Sequence, residues 1–413
     1  MHNGIHPQRV TFPARRAIGC VVAALAALIP CSYAPAAEAP DLQPLLERAS
    51  DFEACDAWSE GVSVLKPAYD AGSRDPELLK SLGVLTLKSG QAAAASEYFA
   101  AARAASPADV EPIFWSAVAA SAAGDDSKAS ALLAEGLAAA GENEVALYDL
   151  AEKLLRRCAV SAAVSLYRKI NAICPSDSQF DLFSALNLAT YYGSEGRDAE
   201  AAALLSSYRR AFEYSDVTVL TSQECDYLVA WFRGRAAAAA GDTDGAAAIL
   251  RDAALAYRTG VIADGELVRV LDAAGRTEEA DGVYSICIRR FKERLASSPE
   301  DHAACFDLAL FVATSLRKDA AGLDACEWAL RLAPLRPEYL GLKAALLSNL
   351  GRYEDALAPV QRTMVLVTAP RWVEPGQYVE WALLRLEILK KTGRPLPDAF
   401  TRLPEPETPP AKE

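Results

Sequence analysis

Beyond residue 36 the chain carries one histidine, His302, seven cysteines and an excess of carboxylates, and these bound the chemistry it can do. One imidazole cannot build a His-based zinc site, and no HExxH, GxSxG or phosphate-binding glycine loop occurs. Cys55, Cys158, Cys174, Cys225, Cys287, Cys305 and Cys326 contain no CxxC pair, which argues against thiol redox or zinc work. Their number is odd. If Cys158 lies in a turn and Cys174 ends the following helix, their sixteen-residue spacing places them about 24 Å apart at roughly 1.5 Å per residue, well beyond the roughly 7 Å limit for a disulfide. Paired acids for glycoside chemistry remain open, but most Asp and Glu fall in exposed first turns of helices, where they complement the helix dipole. His302 follows Pro299 and is expected to be an exposed helix-start residue. The reading is a non-enzyme, with no cofactor and no metal.

The elements that would position these side chains follow from an internal repeat. Gly, four residues, then Ala recurs at Gly90/Ala95, Gly124/Ala129, Gly196/Ala201, Gly241/Ala246, Gly275/Ala280 and Gly351/Ala356. The spacing from Gly90 to Gly124, and from Gly241 to Gly275, is 34 residues, a period that marks a solenoid of helical hairpins. Three units superimpose without gaps: Leu79, Ile113 and Leu147; Ala95, Ala129 and Ala163; Phe99, Leu133 and Tyr167. Large apolar residues recur at helical spacing, and small ones stand where two helices approach closely. Gly supplies the turn inside each hairpin, and Pro or Gly ends the second helix.

Leu79-x2-Leu82-Gly83...Ala95-x3-Phe99...Pro107 resembles the tetratricopeptide repeat, as do Gly351-Arg352-Tyr353-Glu354-Asp355-Ala356-Leu357 and Ala329-Leu330-Arg331-Leu332-Ala333-Pro334. The resemblance spans roughly residues 76–365. It implies an all-α fold, a right-handed α-solenoid of about eight hairpins with terminal caps, and a concave surface lined by the first helix of every hairpin. Transferring the family's concave positions by register gives Lys80, Val84 and Leu87, then Phe114 and Val118, then Tyr148, Glu152 and Arg156, followed by Leu186, Trp231, Arg235 and Arg269. Phe114, Tyr148 and Trp231 share one register position, so the stripe is either a binding surface or core; we read it as surface. Cys287 stands where the family has a small Ala and is expected to be a buried thiol. The family's carboxylate clamp is absent, because Lys80 is followed by Val84 one turn on.

The register slips divide the chain. Residues 1–36 read as a signal peptide, 37–75 as an N-terminal capping hairpin and 76–211 as a first sub-array. A linker loop is expected at 212–226, a second sub-array at 227–369, a capping helix within 370–394 (Gln377 to Lys391) and a disordered Pro-rich tail at 395–413. An excess of eight residues between Gly275 and Arg317 predicts one longer hairpin, with the helix continuing through Ile286 to Ser298.

Formal charge is -13 over 413 residues. Arg9, Arg15 and Arg16 are the only charged residues before position 37, so the remainder is more acidic still, which disfavours nucleic acid and anionic lipid. Arg15-Arg16, the apolar run Ala17 to Ile29 and Ala34-Pro35-Ala36 form a basic, apolar and A-x-A export pattern. Its apolar run is too short for a resident membrane helix, which needs about 20 residues. The expected location is periplasmic or secreted, with lipid attachment at Cys31 a lesser alternative. These readings together predict a protein-interaction scaffold of a bacterial envelope, with a protein or peptide partner in the groove and no transmembrane helix in the processed chain. The alternative is a glycan or solute capture protein that uses the same aromatic residues as a stacking platform.

Overall fold

The computed structural model describes residues 41–174, 178–214, 221–257, 260–366 and 377–404. Within them the chain forms nine consecutive helical hairpins and a closing helix. The first hairpin pairs α1 (Gln43–Ala54) with α2 (Trp58–Asp70), and eight repeats follow. They are α3 (Pro76–Lys88) with α4 (Ala92–Ala105), α5 (Glu111–Ala122) with α6 (Asp126–Ala139), α7 (Glu144–Arg156) with α8 (Val160–Ile173), and α9 (Gln179–Ser194) with α10 (Asp198–Tyr214). Then come α11 (Ser222–Ala239) with α12 (Thr243–Ala256), α13 (Ile262–Ala273) with α14 (Thr277–Ser297), α15 (His302–Ser315) with α16 (Ala320–Leu332), and α17 (Pro337–Asn349) with α18 (Tyr353–Leu366). The closing helix is α19 (Gln377–Lys391). The all-α solenoid of eight repeats between caps is therefore present, and α14, at 21 residues, is the longer hairpin arm that the spacing predicts.

Each hairpin turns through one left-handed residue. The six repeat glycines take φ between +73° and +84°, where a side chain on Cβ would be strained. A Cβ on any of them would meet nothing within 4 Å, so their role is conformational rather than steric. The turns without a glycine use Asp56, Cys158 and Leu316 in the same region (φ 55°, 67° and 56°). The backbone N–H after the left-handed residue closes onto the preceding helix, as in Gln91 N to Thr86 O at 3.1 Å and Ala159 N to Leu154 O at 2.9 Å, the bond of a Schellman ending. The repeat alanines Ala95, Ala129, Ala201, Ala246, Ala280 and Ala356 are fully buried, where their size lets the two helices of a hairpin approach.

Two boundaries differ from the sequence expectation. Of the linker assigned to 212–226, residues 212–214 belong to α10 and 222–226 to α11; residues 215–220, with the β-branched run from Val217 to Val219, lie outside the described residues. The two sub-arrays are not separate bodies there. Leu182, Leu205, Cys225 and Phe232 share one core, Cys225 Sγ donates to Leu205 O at 3.5 Å, and Arg209 Nε donates to Asp226 Oδ1 at 2.7 Å. The tail assigned as disordered from 395 is ordered through Pro404. Composition misleads here because the Pro-rich stretch encloses one apolar anchor, Phe400, which is completely buried.

The helix α19 also does more than cap. It packs against α17 and α18 and reaches back to α7, α8 and α9, so the end of the chain lies on the inner face of its beginning. Arg385 Nη2 donates to Asp56 Oδ1 at 2.6 Å in the turn between α1 and α2, and Gln361 Nε2 donates to Asp56 Oδ2 at 2.7 Å. Beside this pair, Glu53 on α1 accepts from Lys88 Nζ at 2.8 Å and faces Arg157 at 3.6 Å. Burial pushes the Glu53 carboxyl up, but the Arg157 and Lys88 charges outweigh it and hold it at about 2.

A pH prediction follows, with its sign fixed by that depression. Glu53 stabilises the fold fully above its unfolded value, near 4.5, and the contribution disappears as pH falls toward about 2. A shift of this size corresponds to about 3 kcal/mol. In urea titrations, Glu53→Gln is expected to be weaker than wild type at pH 7 and to lose less stability between pH 4.5 and 2.5. Equal losses in the two proteins would remove Glu53 from the acid-sensitive cluster.

Candidate functional site

The first helices of the hairpins face inward, and the residues selected for the concave surface divide there into three groups. Phe114 is completely buried and lies against Gly136 of α6, whose built Cβ would stand 3.1 Å from the ring. Tyr148 packs among Tyr167, Phe180 and Phe183 with centroids 5.5–5.9 Å apart, and its hydroxyl accepts from Asn187 Nδ2 at 3.3 Å. Both are core, as are Val84, Leu87 and Val118. The shared register position is a packing position in the first repeats, so the expected aromatic stripe does not line a continuous groove.

The second group is charged, and two of its members, Lys80 and Arg269, are held in ion pairs. Lys80 is buried, with Nζ 2.7 Å from Glu77, 2.8 Å from Asp109 and 3.2 Å from Glu111. Burial opposes its charge, but the Glu111, Asp109 and Glu77 carboxylates overcome it and push the ammonium pKa up. Glu152 is half-buried, and desolvation moves its carboxyl up against the pull of Arg156. Lys80 and Arg156 line a cleft of about 370 Å³ between α1, α3, α5, α7, α18 and α19. Arg269 pairs with the buried Glu266 one turn before it.

The third group borders open space. Leu186, Trp231 and Arg235 line a cavity of about 560 Å³ enclosed by α9, α11, α13, α15, α17 and α19. Arg235 stands 3.0 Å from Asp198 and donates through Nη2 to Gly193 O at 2.8 Å, which holds its guanidinium 4.9 Å over the Trp231 ring. Trp231 Nε1 is shielded from solvent and makes no hydrogen bond among the described residues. A donor in that state costs about 1–3 kcal/mol when nothing accepts from it.

Sequence reasoning missed the opposite wall. Phe306 of α15, Glu338 of α17, and Glu380 and Trp381 of α19 complete the cavity. Trp381 fits because Gly341 leaves space for it; a Cβ there would fall 2.2 Å from Trp381 Nε1. The signal for this wall was present in α19, where Val379, Trp381, Ala382, Ile388 and Leu389 are buried and Leu383, Leu384 and Leu386 join the neighbouring cores. Apolar residues at 379, 381–384, 386, 388 and 389 cover more of the helix than the single stripe of a surface helix needs.

The first half of the inner face is covered by the chain itself. A 3-10 turn at Asp398–Phe400 seats Phe400 with its ring 6.2 Å from Trp115. Ser161 Oγ donates to Ala399 O at 2.7 Å, Tyr191 Oη donates to Thr401 O at 3.4 Å, and Arg402 pairs with Glu195 at 3.0 Å. Trp115 is fixed in turn by donating Nε1 to Glu111 Oε1 at 3.1 Å, the residue that pairs with Lys80.

The reactive residues are placed as follows. His302 does begin α15, but it is half-buried rather than exposed, because its Nδ1 lies 2.7 Å from Tyr339 Oη. The seven cysteines among the described residues are free thiols; Cys287 is buried as expected, and Cys55 is exposed. Among the described residues no group of His, Cys, Asp and Glu is arranged to hold a metal ion, and no helix is long and apolar enough to cross a membrane. The export pattern at residues 1–36 lies outside the described residues.

In solved structures the chain is similar to the TPR domain of P58(IPK), at 14% identity over 85% of this chain and 99% of that one with a TM-score of 0.23. It is also similar to yeast Tom70, at 12% identity over 85% and 88% of the two chains with a TM-score of 0.27. A third similarity is to the structure of Naa15/Naa10 bound to HypK-THB, at 13% identity over 85% and 68% with a TM-score of 0.27. No protein-family model and no curated protein matches the chain.

Proposed function

We propose that this protein is a non-enzymatic interaction scaffold of a bacterial envelope, which binds a segment of a protein partner on the inner face of its second half. The observation that carries the reading is the chain's own tail. The inner face already holds a short segment of the tail by one buried aromatic anchor, side-chain bonds to its backbone carbonyls and an ion pair at its end, as a groove holds a peptide. The first half is filled in this way, and the cavity beyond it offers Trp231, Arg235 and Leu186 of the expected set. The envelope setting rests on the Arg15-to-Ala36 pattern alone.

The test is site-specific photo-crosslinking in cells, with the crosslinker at Ala345 in the cavity wall or at the exposed Glu97 on α4. A discrete protein adduct is expected from Ala345 and not from Glu97, and Trp231→Ala is expected to weaken it by tenfold or more, since truncating an anchor costs about 2–4 kcal/mol. Equal adducts from both positions would move recognition to the outer face. The solute-capture alternative draws on the clustering of Trp231, Phe306 and Trp381 around one enclosed space. Its volume falls in the range of small-ligand sites, about 300–1,000 Å³. Native mass spectrometry of the purified protein separates the readings, because a co-purifying small molecule lost in Trp231→Ala belongs only to solute capture.

A further inference from the structure

The charged groups around the second-half cavity are matched except for one. Arg235 has Asp198, and Glu338 has Arg336 at 3.1 Å. Glu380 makes neither an ion pair nor a hydrogen bond among the described residues, although it lies on the cavity wall beside Trp381. Glu380 is an exposed residue whose side chain opens to the cavity space, and desolvation by the neighbouring helices, with no cation to oppose it, pushes its carboxyl up. Across the cavity Trp231 presents an aromatic face and a shielded Nε1 that lacks an acceptor. The wall therefore lacks one positive charge. Its remaining surface is apolar: Leu186, Ile262, Phe306 and Leu384.

We infer that the cavity takes a positively charged side chain, Lys or Arg, from a peptide segment, with Glu380 as its counter-ion and Trp231 and Trp381 flanking its apolar stem. The assignment rests on the proposed binding role and names the chemistry of that site. A long cationic side chain meets all three conditions together: its methylenes cover apolar walls, its head seeks a carboxylate, and its charge interacts favourably with indole faces. A neutral apolar segment would cover the Glu380 carboxylate without supplying a partner for it. An acidic segment would bring like charge against it.

The probe is a positional-scanning library of N-acetylated tetrapeptide amides, each of the twenty side chains fixed in turn, offered to immobilised full-length protein at neutral pH. Lys or Arg is expected to be enriched at one position about tenfold or more over Gln, as for a close charge pair removed from bulk water. Glu380→Gln, checked for unchanged helicity and unfolding midpoint, is expected to abolish that enrichment while keeping apolar preferences at neighbouring positions. Glu354→Gln on the surface of α18 is expected to change nothing. Peptide binding without cation enrichment, or enrichment that survives in Glu380→Gln, overturns the inference and leaves the binding role standing, provided that Trp231→Ala still weakens binding. Failure of the folded wild type to retain any peptide overturns both.

Discussion

Arg385→Ala is expected to lower the unfolding free energy by about 3–5 kcal/mol, the cost of stranding one member of a buried charge pair. Side-chain exposure is 5% for Arg385 and 0% for Asp56, so the pair is removed from bulk water. Asp56 retains Gln361, whose amide donates to the other carboxylate oxygen, but no cation remains against it. The loss should appear as a lower urea midpoint. The double variant Asp56→Asn with Arg385→Met separates the pair from the penalty, since it removes both charges, keeps volume at 385 and leaves at 56 a residue that tolerates positive φ. It is expected to recover most of the stability. A single variant as stable as wild type would show that the last helix is held without this contact.

Phe400→Ala carries the second large effect, and it falls on a segment rather than on the whole chain. Removing a fully buried phenyl ring costs about 3–5 kcal/mol, and here that energy holds residues 395–404 against α5, α8 and α9. The docked tail should open roughly a hundred times more often or more. In the otherwise folded protein, trypsin is expected to cut after Arg402 at a correspondingly higher rate, and Trp115 emission should shift to the red as its ring meets water. A synthetic peptide of residues 395–404 should bind this variant and not wild type. Cleavage at the wild-type rate would mean that Leu396, Leu403 and the Arg402 pair hold the tail without its aromatic anchor.

What the sequence made legible was what recurs. Gly90 with Ala95 and its counterparts encode a turn and a close helix approach, both local requirements, and they marked six of the eight hairpins between Pro76 and Leu366, the turns at Cys158 and Leu316 having no glycine. Contacts between distant positions have no period. Ser161 and Ala399 are 238 residues apart, and nothing in a repeat of 34 indicates that one will meet the other. The same limit explains the divided result at the site. A register rule assigns Phe114, Tyr148 and Trp231 to one surface because it treats every repeat alike. In the early repeats the position is filled by Phe114 against Gly136 and by Tyr148 among Tyr167, Phe180 and Phe183, whereas around Trp231 the helices diverge enough to leave a cavity. Lys80 and Arg269 looked like free cations because their partners Asp109, Glu111 and Glu266 have to be seen in space.

The pairing of Arg385 with Asp56 changes how the repeat array can come apart. A linear stack of hairpins frays from its ends, each terminal unit having one neighbour and therefore half the contacts of an internal unit. Here the last helix is bonded to the first hairpin, so neither end is a free starting point for unzipping. The first unit cannot leave without breaking a contact made by the last. Local opening events that would be independent in an open array become mutually dependent, and a single ion pair couples the stability of the amino-terminal hairpin to that of the helix that walls the binding cavity.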